Sequence, residues 1–125
     1  AVTPKVAVIG ADGAPFAMTV NILFAPNGYG VAVPMRRLLD REILRKVGKT
    51  ARVDVELDGY SDKVGEQDYN RRLSRLRALN VRFYLLQQGL KIRRLTLRAF
   101  GSTPSGLATS AQNRRVVVRV RKVGR

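Results

Sequence analysis

Phe16, Met18, Val20, Ile22 and Phe24 alternate with smaller or polar residues over nine positions, and Val6 and Val8 precede them across the turn signal Ala11-Asp12-Gly13. A period of two marks strands buried on one side, so Lys5 to Phe24 reads as two strands around a turn. Ala25-Pro26-Asn27-Gly28-Tyr29-Gly30 follows as a loop of turn formers. Pro34 suits the first turn of a helix, where its missing N–H costs nothing. Met35, Leu38, Leu39 and Ile43 then fall at helical spacing, with Gly48 as the stop. The period of two returns from Arg52, with Val53, Val55 and Leu57 on one face and Asp54, Glu56 and Asp58 on the other. Gly59 to Gly65 reads as a loop. The longest helix is predicted from about Asp68 to Gln88, its apolar stripe made of Tyr69, Leu73, Leu76, Asn80 and Phe83 and its opposite face of Arg71, Arg75 and Arg82. Leu95, Leu97 and Ala99 alternate as a further strand. Gly101 to Asn113 is a loop with room for one short helical turn, and Val116, Val118 and Val120 form a closing strand.

Two amphipathic helices over one sheet predict an α+β two-layer sandwich: a βαβαβ core with an N-terminal strand extension and a closing C-terminal strand. The uncovered sheet face must be polar. Asp54, Glu56 and Asp58 can meet Arg94, Arg98, Arg115, Arg119 and Arg121 there, each cross-strand pair contributing roughly 0.2–1 kcal/mol.

The chain has 125 residues, which suits one domain. It contains neither Cys nor His. That excludes a disulfide framework, a zinc site with Cys or His ligands, and Cys or His catalysis. The carboxylates on the strand face have no nucleophile and base beside them, so an enzyme is not expected, nor a cofactor or a metal. No apolar run approaches the ~20 residues of a membrane span. Ala1-Val2-Thr3-Pro4 shows no signal-peptide pattern, which leaves open a removed signal, a domain cut from a longer chain and a cytoplasmic protein. Charge changes the picture most. The net is +15, and it is one-sided: residues 1–68 carry nine basic and nine acidic side chains, residues 69–125 fifteen basic and no acidic one. Such asymmetry favours a polyanionic partner, whether nucleic acid, anionic membrane or anionic cell-wall polymer.

One constellation narrows that choice. Gly59, Ser61, Asp62, Gly65, Asn70, Leu73, Ser74, Arg77 and Ala78 stand at fixed spacing, and Asn113-Arg114-Arg115-Val116 opens the closing strand. This pattern resembles the OmpA C-terminal-like family of outer-membrane porin-like proteins, peptidoglycan-associated lipoproteins and flagellar stator proteins. The resemblance covers roughly Leu23 to Val120, leaving 1–22 as the strand extension and 23–125 as the domain. The loop after Phe24 departs from the family pattern in lacking an acid and a Ser.

The resemblance implies non-catalytic binding of the diaminopimelate-containing peptide stem of peptidoglycan, anchoring an envelope protein or complex to the wall. It implies that Asp62 accepts hydrogen bonds from the ligand's ammonium and that Arg77 clamps its carboxylate. Asn70 would hold the loop and Leu73 would wall the pocket, with Ser61 and Phe24 completing the site. A charge-assisted, bidentate Arg–carboxylate contact suits a zwitterionic tip. It further implies a periplasmic location, with a membrane tether outside these residues. Without the resemblance, Asp62 and Arg77 read as a loop-to-helix salt bridge and Asn70 as a helix cap; Arg114 and Arg115 read in either case as support for the sheet face or cover for the helix rather than as ligand contacts. The alternatives are an OmpA-like domain that has lost peptidoglycan binding and serves as an envelope assembly module, and a basic nucleic-acid or anionic-surface binding domain. Nucleic acid is not expected as a partner, because aromatic residues are 6% of the chain and read as core, leaving no stacking platform.

Overall fold

Alternating valines at the chain's end pair with alternating apolar residues near its beginning. In the computed structural model, which describes residues 17–62, 66–102 and 110–123, β1 (Met18–Leu23) runs antiparallel to β4 (Arg115–Lys122), with Val20 opposite Val118 and Ile22 opposite Val116. On its other side β4 pairs antiparallel with β2 (Arg52–Ser61), and β2 pairs in parallel with β3 (Lys91–Ser102). The sheet order is β1-β4-β2-β3. Between β1 and β2 the chain forms α1 (Val33–Leu39), a π-helical turn (Asp40–Leu44) and α2 (Arg45–Val47). Between β2 and β3 lies α3 (Gln67–Gln87), and α4 (Ser110–Asn113) supplies the short helical turn before β4. The α+β sandwich expected from the pattern is therefore present. The predicted strand around Val6 and Val8, its turn and Phe16 lie outside the described residues.

One sheet face carries Val20, Ile22, Val53, Val55, Leu57, Val116, Val118 and Val120 into a core closed by Leu39 and Ile43 from the first helical segment and Ala78, Val81 and Leu85 from α3. The Tyr84 hydroxyl ties the two helical segments together by donating to Asp40 Oδ1 at 2.6 Å. Burial and that carboxylate push the phenol up to about 12.

Three predicted features need correction. Gly59-Tyr60-Ser61 is not loop but the end of β2, and β3 continues through Gly101 and Ser102. The buried stripe of α3 is also out of phase with the predicted one. Asn70, Leu73, Ser74, Arg77, Ala78, Val81 and Leu85 face inward, while Tyr69, Leu76 and Phe83 are exposed. The cause is a close approach: a Cβ added at Gly59 would lie 2.2 Å from the carbonyl oxygen of Ser74. The helix rests on bare backbone at that point, and only small side chains fit beside it. Ser74 also receives the N–H of Gly101 on its Oγ at 3.0 Å. Third, the aromatic residues are not all core. Phe24 is buried, but Tyr29, Tyr69, Phe83 and Phe100 are exposed.

The opposite sheet face bears charge, as the alternation required. Asp54 and Asp58 are nonetheless buried, covered by arginines from both neighbouring strands. Arg121 reaches Asp54 at 2.6 Å and Arg93 reaches it at 2.7 Å; Asp58 receives Arg119 at 2.7 Å and Arg98 at 2.8 Å. The Arg93 contact was not foreseen, because a register shift between Val53 and Asp54 brings in a residue beyond simple alternation. Hydrogen bonds from Arg93, opposed by burial and reinforced by Arg121, hold the Asp54 carboxyl at about 2, against an ordinary 3.8. A folded-state value below the unfolded one stabilises the fold above the unfolded value and is lost as pH falls toward the folded one. The stability advantage over Asp54→Asn, read from urea midpoints, is therefore expected to shrink by about 2 kcal/mol between about pH 5 and about pH 2. A constant difference would show that the pairing does not depend on ionised Asp54.

Candidate binding site

A cation in the middle of a buried helix face demands partners. Arg77 is 0% exposed. Its Nε donates to the carbonyl of Gly28 at 2.7 Å, Nη2 to that of Ala25 at 3.1 Å and Nη1 to that of Tyr60 at 3.2 Å. The guanidinium carbon lies 5.3 Å from the centre of the Phe24 ring, a cation–π contact. Burial lowers the Arg77 pKa to about 10; nearby Asp62 opposes the shift and nearby Arg114 adds to it.

Arg77 thus staples residues 25–30 to α3. Asn80 Nδ2 donates to the Tyr29 carbonyl at 2.7 Å, and the Tyr69 hydroxyl donates to Asn27 Oδ1 at 3.0 Å. The loop turns through a hydrogen bond from Gly28 N to the Ala25 carbonyl at 2.9 Å, with Asn27 in the left-handed region at φ 57°. Asn and Gly are the residues that tolerate such turns.

Asp62 follows the last residue of β2. Its carboxylate accepts from Arg114 Nη1 at 3.2 Å, and the Ser61 hydroxyl donates to the Asp62 carbonyl at 3.3 Å. Arg114 also donates from Nε to the Phe24 carbonyl at 2.9 Å, while the Phe24 N–H donates to the Arg114 carbonyl at 2.9 Å. The end of β1, the end of β2, the start of β4 and the centre of α3 therefore converge at one corner. Among the described residues, two guanidiniums and one carboxylate meet there, a net positive charge.

Of the residues singled out from the sequence, Phe24, Ser61, Asp62 and Arg77 meet at this corner. Asp62 and Arg77 influence each other electrostatically but bond to different groups, Asp62 to Arg114 and Arg77 to backbone carbonyls. Asn70 is buried within the first turns of α3; the cap position belongs to Glu66, so the helix-cap reading of Asn70 does not hold. Leu73 is buried beside a groove that it shares with Tyr29 and Tyr69. Arg115 supports the sheet as expected, its guanidinium 4.0 Å from the centre of the Tyr60 ring. Arg114, read from the sequence as support for the sheet face or cover for the helix, bonds Asp62 and the Phe24 carbonyl. Its signal was the Asn-Arg-Arg-Val block, whose two arginines point to different tasks.

No helix among the described residues is long and apolar enough to cross a membrane. Outer membrane protein A of Bordetella avium is 28% identical over 138 residues, spanning 94% of this chain and 71% of that protein. The peptidoglycan-associated lipoprotein of Burkholderia pseudomallei has the same fold, with a TM-score of 0.67 at 24% identity over 81% of this chain and 89% of that one. The periplasmic domain of Helicobacter pylori MotB gives a TM-score of 0.64 at 18% identity, over 96% and 90% of the two chains. The OmpA family model matches residues 23–119, from the end of β1 into β4 and through every residue of the corner just described, and the chain belongs to that family.

Proposed function

We propose that the domain binds the diaminopimelate-containing peptide stem of peptidoglycan without catalysing a reaction, and so fastens an envelope protein or complex to the cell wall from the periplasmic side. The observation that carries this reading is Arg77, a buried cation whose hydrogen bonds end on neutral carbonyl dipoles beside the single carboxylate of Asp62. A carboxylate is a better partner for a buried guanidinium than a carbonyl, because charge-assisted bonds are about twice as strong as neutral ones.

Binding in this reading is an exchange of partners. The ligand's carboxylate takes the place of the Ala25 and Gly28 carbonyls on Arg77, and residues 25–30 lift to admit it. The ligand's ammonium approaches Asp62, whose contact with Arg114 relaxes while Arg114 keeps the Phe24 carbonyl. Family membership and the resemblance of the fold to a peptidoglycan-associated lipoprotein support the choice of ligand. The net charge of +15 adds long-range attraction toward an anionic wall, which salt weakens.

Calorimetric titration with two muropeptides, one carrying diaminopimelate and one carrying lysine at that position, tests the pairing. Lysine keeps the ammonium but lacks the second carboxylate, so its muropeptide should bind at least about tenfold more weakly, a loss of about 1.4 kcal/mol. Asp62→Ala should abolish binding of the diaminopimelate form with the circular dichroism spectrum unchanged. Equal affinity for both muropeptides, or full binding by Asp62→Ala, would discard the pocket. Tight binding of duplex DNA at about 200 mM salt, with no retention on sacculi, would favour nucleic acid instead.

A further inference from the structure

The residues that α3 turns away from the core are not a solvated face. Tyr69, Leu76 and Phe83 are seven residues apart, and Leu79 and Leu86 fall three residues after Leu76 and Phe83. Seven-residue steps lie about 10 Å apart along a helix axis. Together with Arg72 these positions form the a and d sites of three heptads, with Tyr69, Leu76 and Phe83 at a and Arg72, Leu79 and Leu86 at d. Tyr69 is 40% exposed, Leu76 42%, Phe83 62% and Leu86 44%, and Leu79 is half-buried. An apolar seam of period 3.5 is what one helix offers to another, and large apolar groups gathered on a surface mark an interaction site. The seam borders a groove of about 310 Å³ between Tyr29 and α3, lined by Tyr69, Leu73, Leu76 and Leu79.

The charges beside the seam are mostly of one sign. Arg75 and Arg82 occupy two of the flanking g positions and Arg72 sits in the seam; the first g position is Asp68, which is bridged to Arg71 at 3.3 Å, and residues 69–125 contain no acid. A second copy packed antiparallel would set arginine against arginine. Packed in parallel, it would leave Arg75 and Arg82 facing Asn80 and Gln87 and bring the two Arg72 side chains together. In both orientations the net charges of +15 repel. A helix with apolar a and d positions and glutamates at e and g offsets the charges of Arg72, Arg75 and Arg82. We infer that the outer face of α3 is a docking surface for an acidic amphipathic helix of a partner protein, separate from the Arg77 corner on the inner face.

Three labelled peptides as long as α3 test this by fluorescence anisotropy at about 150 mM salt. The first is a designed helix with leucine at a and d and glutamate at e and g. The second replaces the glutamates by lysines, and the third scrambles the first. The ordered acidic peptide is expected to bind at least about tenfold more tightly than either control. The double variant Leu76→Ser/Phe83→Ser removes exposed groups that the inner packing does not use, and it should lose at least about tenfold in affinity. Arg75→Glu/Arg82→Glu should move the preference to the lysine peptide. Equal binding of ordered and scrambled acidic peptides would mean attraction by net charge alone and would overturn the inference. A dimer in sedimentation equilibrium that the double serine variant dissolves would give the face to a second copy. Binding to phosphatidylglycerol vesicles that the same variant abolishes, without ordered-peptide binding, would give it to a lipid surface.

Discussion

Gly59→Ala is expected to destabilise the domain by about 3 kcal/mol, at the upper end of what overpacking costs. The new methyl carbon would sit 2.2 Å from the Ser74 carbonyl oxygen and 3.0 Å from its carbon, and both atoms belong to helix backbone rather than to a side chain that can rotate away. Relief requires α3 to move off β2. That movement would also disturb the Ser74 bond to Gly101 and the Arg77 bond to Tyr60. Urea denaturation measures the effect. Gly30→Ala is the control, because nothing lies within 4 Å of its added Cβ; it should stay within about 0.5 kcal/mol of the parent. If Gly59→Ala matches that control, the close seating of the helix is wrong.

Arg77→Met should cost about 2–4 kcal/mol, although methionine fills a good part of the arginine's volume. The carbonyls of Ala25, Gly28 and Tyr60 would each lose a donor, at about 1 kcal/mol apiece. Releasing a buried charge offsets part of that loss. The change also separates two roles of the residue. If Arg77 secures residues 25–30, hydrogen exchange at the Gly28 amide should accelerate well beyond what the global loss of stability explains, while amides in the middle of β4 follow the global change. Uniform acceleration would deny the loop its dependence on Arg77.

The strands were legible because their burial follows a strict period of two: Val20, Ile22 and Phe24, Val53, Val55 and Leu57, and Val116, Val118 and Val120 each lie on the core side. Helix α3 misled because it carries two seams. The more hydrophobic one, Tyr69-Leu76-Phe83, faces outward. The inner one is built partly from Ser74 and Ala78, small enough to lie against the Gly59 backbone, and from the polar Asn70 and Arg77. Hydrophobicity alone ranks these faces in the wrong order. The location of Asp62 and Arg77 at one corner followed from the family resemblance of the motif that holds them. Their bonding partners did not, because fifteen basic residues follow Asp68 and local pattern does not decide which of them reaches a given acid. The Arg93–Asp54 pair depended on a shift in strand register, which is a property of two strands together.

The placement of β4 has a consequence for how the molecule is made. β4, the last of the described strands, is an inner one, with β1 on one side and β2 on the other. A nascent chain emerging residue by residue can assemble β2, α3 and β3 as a local unit, but among the described strands β1 has no neighbour until residue 115 and those after it appear. Cooperative closure therefore waits until β4 has emerged, and it joins segments almost a hundred positions apart, the kind of long-range pairing that slows folding. A ribosome-stalled or truncated chain ending before Arg115 would leave the edges of β1 and β2 bare, and such unpaired edges invite aggregation.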